Sequence, residues 1–230
     1  MPLLRATALL IVCAMLLMAL PAMAQDGRSD FGDTVHVIQP KPVLQQGRLN
    51  VTPRLGMTIN DPLYRNFNIA IHGNFHISER LFLGAFFQWY DFGDVLGGPT
   101  ETYRQLNAET GATADGPFLN WAGGAEVGFV PLFGKFALFN RGIMFYDVSL
   151  TAGGGYTDSS TLSAQAASFG GPAATVSISA RAFLNEWMAI NVELRDIIYN
   201  LFEDARSTSH GVTVGLGMSF YFPMSFEYSE

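Results

Sequence analysis

Between Asn66 and Ile77 the chain alternates without a break. Asn66, Asn68, Ala70, His72, Asn74 and His76 hold one parity, and Phe67, Ile69, Ile71, Gly73, Phe75 and Ile77 hold the other. Successive side chains of a strand point to opposite faces, so this stretch makes a strand that is wet on one side and greasy on the other. The rhythm recurs about eight times, which predicts strands at 48–59, 66–77, 81–91, 121–130, 143–156, 173–184, 187–199 and 211–222.

The first residues say where such strands are needed. Met1 to Arg5 is a short basic start, Ala6 to Leu20 is an apolar run, and Ala22-Met23-Ala24 precedes a polar Gln25. That is the pattern of a secretory signal peptide over 1–24. No later segment reaches the roughly 18 to 20 apolar residues of a spanning helix, so a membrane-resident mature chain crosses with strands. The lone cysteine, Cys13, lies inside the signal, which leaves no thiol for a disulfide or a metal site. Without Arg5 the mature chain carries 12 basic and 20 acidic side chains, a balance that argues against nucleic acid as a partner.

Spacing between the strands carries a second signal. The first, third, fifth and seventh links hold 6, 29, 16 and 11 residues, whereas the second and sixth hold 3 and 2. Short periplasmic turns opposite long outside loops are the habit of outer-membrane barrels. The fourth link, Pro131 to Gly142, breaks the pattern; its Leu132, Phe133, Phe136, Leu138 and Phe139 suggest a compact turn at the membrane interface, built as one helical turn. Gln25 to Gly47 is polar and reads as a periplasmic lead-in, and 223–230 is a tail.

Parity sorts the faces. Val51, Leu55, Met57, Leu83, Phe87, Val127, Phe129, Val148, Leu150, Val176, Ile178, Ile190, Val192, Leu194, Val214, Leu216 and Met218 are greasy. Asn50, Thr52, Arg54, Gln88, Glu126, Asp147, Ser149, Thr151, Thr175, Ser177, Ser179, Arg181, Asn191, Glu193, Arg195, Thr213 and Ser219 lie opposite. A soluble lipocalin-like barrel would turn the greasy set inward, a transmembrane barrel outward. Three features favour the membrane. The links are asymmetric, and aromatics group toward two rims, with Trp89, Tyr90, Trp121, Tyr156 and Tyr199 at one and Phe75, Phe129, Trp187 and Phe222 at the other. The third is the closing strand, where Gly217-Met218-Ser219-Phe220-Tyr221-Phe222 resembles the C-terminal signal of bacterial outer-membrane proteins, although Gly215 and the tail after Phe222 depart from it. The expected fold is an eight-stranded antiparallel up-and-down transmembrane β-barrel over 48–222 in the bacterial outer membrane.

Val37-Ile38-Gln39-Pro40-Lys41-Pro42, Asn60-Asp61-Pro62, Asn185-Glu186-Trp187, Glu193-Leu194-Arg195-Asp196 and Phe226-Glu227-Tyr228 resemble the outer-membrane β-barrel domain proteins common in myxobacteria. The resemblance spans nearly the whole mature chain and implies a small envelope barrel, some of whose relatives serve envelope machinery such as gliding motility.

Candidate chemistry is sparse. The inward parity collects Arg54, Arg181 and Arg195 with Glu126, Asp147 and Glu193, equal numbers of each sign. Eight strands enclose only enough room for side chains, so these six are expected to form a lumen charge network, with a conducting path as the alternative. Inward Gly84, Gly124, Gly128, Gly153, Gly155, Gly215 and Gly217 would make room for the long arginines. His72 and His76 share a face but sit roughly 13 Å apart on a strand, too far for one zinc ion. Gly153-Gly154-Gly155 lacks the lysine and hydroxyl residue of a phosphate loop. Asp91, Asp94, Glu101, Glu109 and Asp115 fit no calcium loop. Ser207, Ser209 and His210, with Asp196, Glu203 or Asp204 nearby, contain the residue types of a rim hydrolase without a recognised spacing. The reading is a non-enzymatic structural or docking barrel, needing no cofactor or metal. Its partners would be outer-membrane lipid and an envelope protein met through the loops or the N-terminal segment. A rim lipid-modifying enzyme, a small pore and a lipocalin-like binder are the alternatives.

Overall fold

The computed structural model describes residues 43–61, 64–90, 97–110, 117–138, 142–161, 168–200 and 208–224. The barrel strands are β1 (Leu49–Thr58), β2 (Tyr64–His76) and β3 (Leu81–Trp89), then β5 (Pro117–Leu138), β6 (Gly142–Thr161), β7 (Ser168–Phe183), β8 (Met188–Asn200) and β9 (Thr208–Phe222). Each pairs antiparallel with its neighbours, and β1 pairs with both β2 and β9, so eight strands close on themselves. Closure leaves no sheet edge around the wall, which is what a strand protein needs inside lipid.

Alternation decides which face goes where. On β2, Ile71 is 52% exposed on the outside while its neighbour His72 is fully buried within. The greasy set named above faces out along every strand and the polar set is buried in the lumen, so the barrel has a transmembrane and not a lipocalin-like orientation. The outward face of β5 and β6 shows the outer boundary of the apolar belt. Trp121 and Tyr156 lie against each other at 6.0 Å, and just beyond them Asn120 donates to Asp158 and Ser160 at 2.8 and 2.7 Å. Apolar surface ends in an aromatic rim, then in polar groups.

Three expectations need correction. Pro131 to Leu138 is not a helical turn: β5 and β6 run on as a paired hairpin, with Leu132 opposite Val148 and Phe136 opposite Met144 after a register shift at Phe129/Leu132. Pairing with β6 satisfies these backbone groups, and Phe136 packs its ring on Tyr146 at 5.9 Å, a pairing that a helix of this length would forgo. The third link is not all loop, since β4 (Gly97–Pro99) adds to the start of β2 and α1 (Glu101–Thr110) follows it, with Thr100 Oγ1 accepting from the Tyr103 amide at its N-terminus. Tyr90 and Tyr199, placed above in the rim, are buried inside the lumen. Each continues the inward parity of its strand, after Gln88 and after Arg195 respectively.

Candidate functional site: the filled lumen

Small residues make the interior possible. A Cβ on Gly217 would strike the Arg54 side chain and the Pro53 carbonyl, and one on Gly128 would enter the Phe82 ring. These positions are the space into which the large inward side chains fold, and the content of the lumen falls into three layers.

The outer layer is apolar. Phe86, Tyr90, Leu119, Ala122, Ile197 and Tyr199 pack as one cluster across the bore, and Tyr90 gives its hydroxyl proton to Gln88 Oε1 at 2.6 Å.

The middle layer is ionic. Arg195 donates to Glu193 Oε1 through Nε at 2.9 Å and to Glu126 Oε2 through Nη2 at 2.8 Å, and to Thr175 Oγ1 through Nη1 at 3.0 Å. Arg54 pairs with Glu193, and His72 stands between both arginines, 3.2 Å from Arg54 Nη1 and 3.4 Å from Arg195 Nη2. The Arg195 guanidinium also lies 4.7 Å from the centre of the Phe86 ring, so the ionic layer is capped by the apolar one.

The third layer closes the other end. Arg181 holds Asp147 through Nε at 2.7 Å and Nη2 at 2.9 Å, a two-pronged pair typical of arginine and carboxylate. Gln45, from the segment before β1, enters this pair: its amide donates to Asp147 Oδ2 at 2.6 Å and accepts from Arg181 at 3.4 Å. Val43 packs with Phe183, Ala189 and Tyr221. Glu79 accepts from the backbone amides of Gln45 and Gln46, both at 3.0 Å. Arg48 donates to the carbonyls of Leu44, Glu186 and Pro223. The end of the lead-in is thus seated in the mouth of the barrel.

The six expected charges form two groups and not one. Arg54, Glu126, Glu193 and Arg195 meet in the middle, while Arg181 and Asp147 sit apart with Gln45. Between them lies a chamber of about 10 Å³ lined by Asn50, Thr52, Ser149, Ser179 and Asn191, room for about one water molecule. Gln45, Arg48 and the apolar layer were missed. Inward parity at Ile197 and Tyr199 was the available signal for that layer; no sequence signal marks Gln45. Replacing Gln45 with Leu should lower barrel stability by about 1 to 3 kcal/mol, because it leaves part of a buried ion pair without its hydrogen bonds. Urea unfolding in lipid vesicles measures this.

At the outer rim His210 Nδ1 lies 2.9 Å from Asp196 Oδ2, with both side chains on the outside of the barrel. Ser209, one residue away on β9, takes the opposite parity and cannot be served by that imidazole. Ser207, Glu203 and Asp204 lie outside the described residues.

No protein-family model matches the chain, and no curated protein matches it in sequence. Among solved structures, it is similar to the N-terminal β-barrel domain of Pseudomonas aeruginosa OprF, at 11% identity and a TM-score of 0.47, over 77% of this chain and 98% of that one. Neisserial surface protein A shares 10% identity at a TM-score of 0.45, over 75% of this chain and 94% of its own. The attachment invasion locus protein Ail of Yersinia pestis shares 12% identity at a TM-score of 0.38, over 77% of this chain and 99% of that protein. By its own closed sheet, outward apolar belt and polar interior, the chain is a small eight-stranded barrel of the bacterial outer membrane.

Proposed function

We propose that this barrel is a sealed, non-enzymatic docking or structural protein of the envelope, presenting its outer links and N-terminal lead-in to a partner. The observation that carries this reading is the three-layer filling of the lumen. An ion moving along the axis would have to part the Phe86–Tyr199 cluster, the Arg195 network and the Gln45 plug in turn. Ion pairs of this kind are held in place by low dielectric on all sides, so opening one layer exposes unpaired charge. With no route through the centre, interaction is left to the ends, where links on a rigid scaffold carry recognition. The likeness of its short motifs to the myxobacterial barrel family supports an envelope role of the same kind.

Purified protein in planar bilayers is expected to give no stable conductance. A triple change of Gln45→Ala, Arg181→Ala and Asp147→Ala, which clears one layer, should leave it closed because two layers remain. Uniform, large steps from the unmutated protein would replace this reading with the pore. A pull-down of tagged protein from detergent-solubilised envelopes tests docking itself: a reproducible partner lost on deletion of 98–116 or 25–42 supports it, and recovery of the barrel alone under crosslinking counts against it.

A further inference from the structure

The chamber of about 10 Å³ between the middle ionic layer and the Gln45 layer gathers polar atoms that the chain itself does not satisfy. Arg54 Nε and Asn50 Nδ2 are donors, Asn74 Oδ1 and Asn191 Oδ1 are acceptors, and among the described residues none of the four meets a hydrogen-bond partner. Their side chains are buried, and all four line the chamber. The sense of the Asn50 amide is fixed, because its Oδ1 already accepts from Thr52 Oγ1 at 2.6 Å and the amino end is left over.

Three properties select an occupant. The space admits about one non-hydrogen atom. The ionised side chains on its wall are Arg54 and Arg181 against Glu126 and Glu193, two of each sign, so an ion of either charge would enter uncompensated. Two donors and two acceptors are what one water molecule satisfies with its lone pairs and its protons. A buried polar atom without a partner is costly, and immobilising one water costs less than leaving four such atoms bare.

The layers on the two sides of the chamber are unequal. Toward the outside stand the Arg195 network and then the Phe86–Tyr199 cluster. Toward the periplasm stands the Arg181–Asp147 pair with Gln45 laid across it. Gln45 belongs to no strand, and its backbone amide is held by the Glu79 carboxylate.

We propose that the chamber is a binding site for one water molecule, which joins Arg54 to Asn50, Asn74 and Asn191, and that this water exchanges through the Gln45 layer. One movable side chain blocks the periplasmic route, whereas two packed layers block the other. Occupancy of the site is independent of whether the lumen conducts; the route of exchange rests on the sealed reading above.

The test is solution NMR of the full chain in lipid nanodiscs, reading contacts between water and the protons on Arg54 Nε and Asn50 Nδ2. In the rotating frame the sign of a cross peak separates a dipolar contact from proton exchange. Both contacts should be dipolar in the unmutated protein. Ser149→Val, which adds a methyl group to a space for one atom, should erase them, and Leu150→Ala on the outward face should keep them. Relaxation dispersion of water oxygen gives the residence time. Gln45→Ala should shorten it about tenfold, the weight of one hydrogen bond to a buried charge, and Leu119→Ala in the outer layer should leave it unchanged. A heat-dependent gel shift confirms that each variant is a folded barrel. No dipolar contact in the unmutated protein, contacts that survive Ser149→Val, a shifted Arg54 Nε resonance when chloride is replaced by bromide, or equal shortening by Gln45→Ala and Leu119→Ala each overturns the proposal. Conductance in planar bilayers would strike the sealed reading and leave the dipolar contacts to decide the site.

Discussion

Replacing Arg195 with Met should destabilise the folded barrel by about 3 to 5 kcal/mol, the largest loss we expect from a single substitution. The apolar stem is largely kept, so the loss comes from the guanidinium, through its ion pairs, its hydrogen bond to Thr175 and its contact with the Phe86 ring. Glu126 and Glu193 would be left facing each other in a buried layer, with Arg54 as the one remaining arginine. Breaking a buried pair from one side is costly because the orphaned partner keeps its desolvation penalty. Adding Glu126→Gln should return a substantial part of the loss. Unfolding in urea, followed by tryptophan fluorescence in lipid vesicles, gives both numbers, and a single variant as stable as the parent would show that the network contributes nothing to the fold.

The second large effect lies on the other face. Val192→Arg sets a charge against hydrocarbon near the middle of β8, with an expected cost of about 2 to 4 kcal/mol at the bilayer midplane. An arginine at Asn200, at the outer end of the same strand, should cost far less, because its head reaches the interface. Equal penalties at both depths, or a protein soluble without detergent, would contradict the membrane orientation.

What the sequence made legible was set by period. Alternation in Asn66 to Ile77 assigned both faces of β2 residue by residue, because a one-residue slip would have turned Ile71 into the lumen and His72 into lipid. Arg54 and Glu193 were assigned inward on the same basis. Their grouping was not legible, because partner choice depends on stagger: Arg195 and Glu126 are 69 residues apart and meet only across the bore. Tyr90 and Tyr199 were misassigned because an aromatic near a strand end suggests a membrane rim, yet parity, the stronger constraint, turned them inward. The β5–β6 hairpin was hidden for the opposite reason. Its register shift at Phe129/Leu132 breaks the alternation by which strands are found. Gln45 left no trace at all, since a polar residue outside any periodic segment looks like linker.

The outer ends of the strands are uneven. The β5–β6 ladder continues to Pro117 opposite Thr161, and β6 stays paired with β7 to Ser160 opposite Ser168, whereas β3 ends at Trp89 and β1 at Thr58. Among the described residues, the barrel wall itself therefore stays paired further out at β5, β6 and β7 than at β1 and β3. Two such barrels meeting in the plane of the membrane would present walls of different height according to which flank each had turned toward the other.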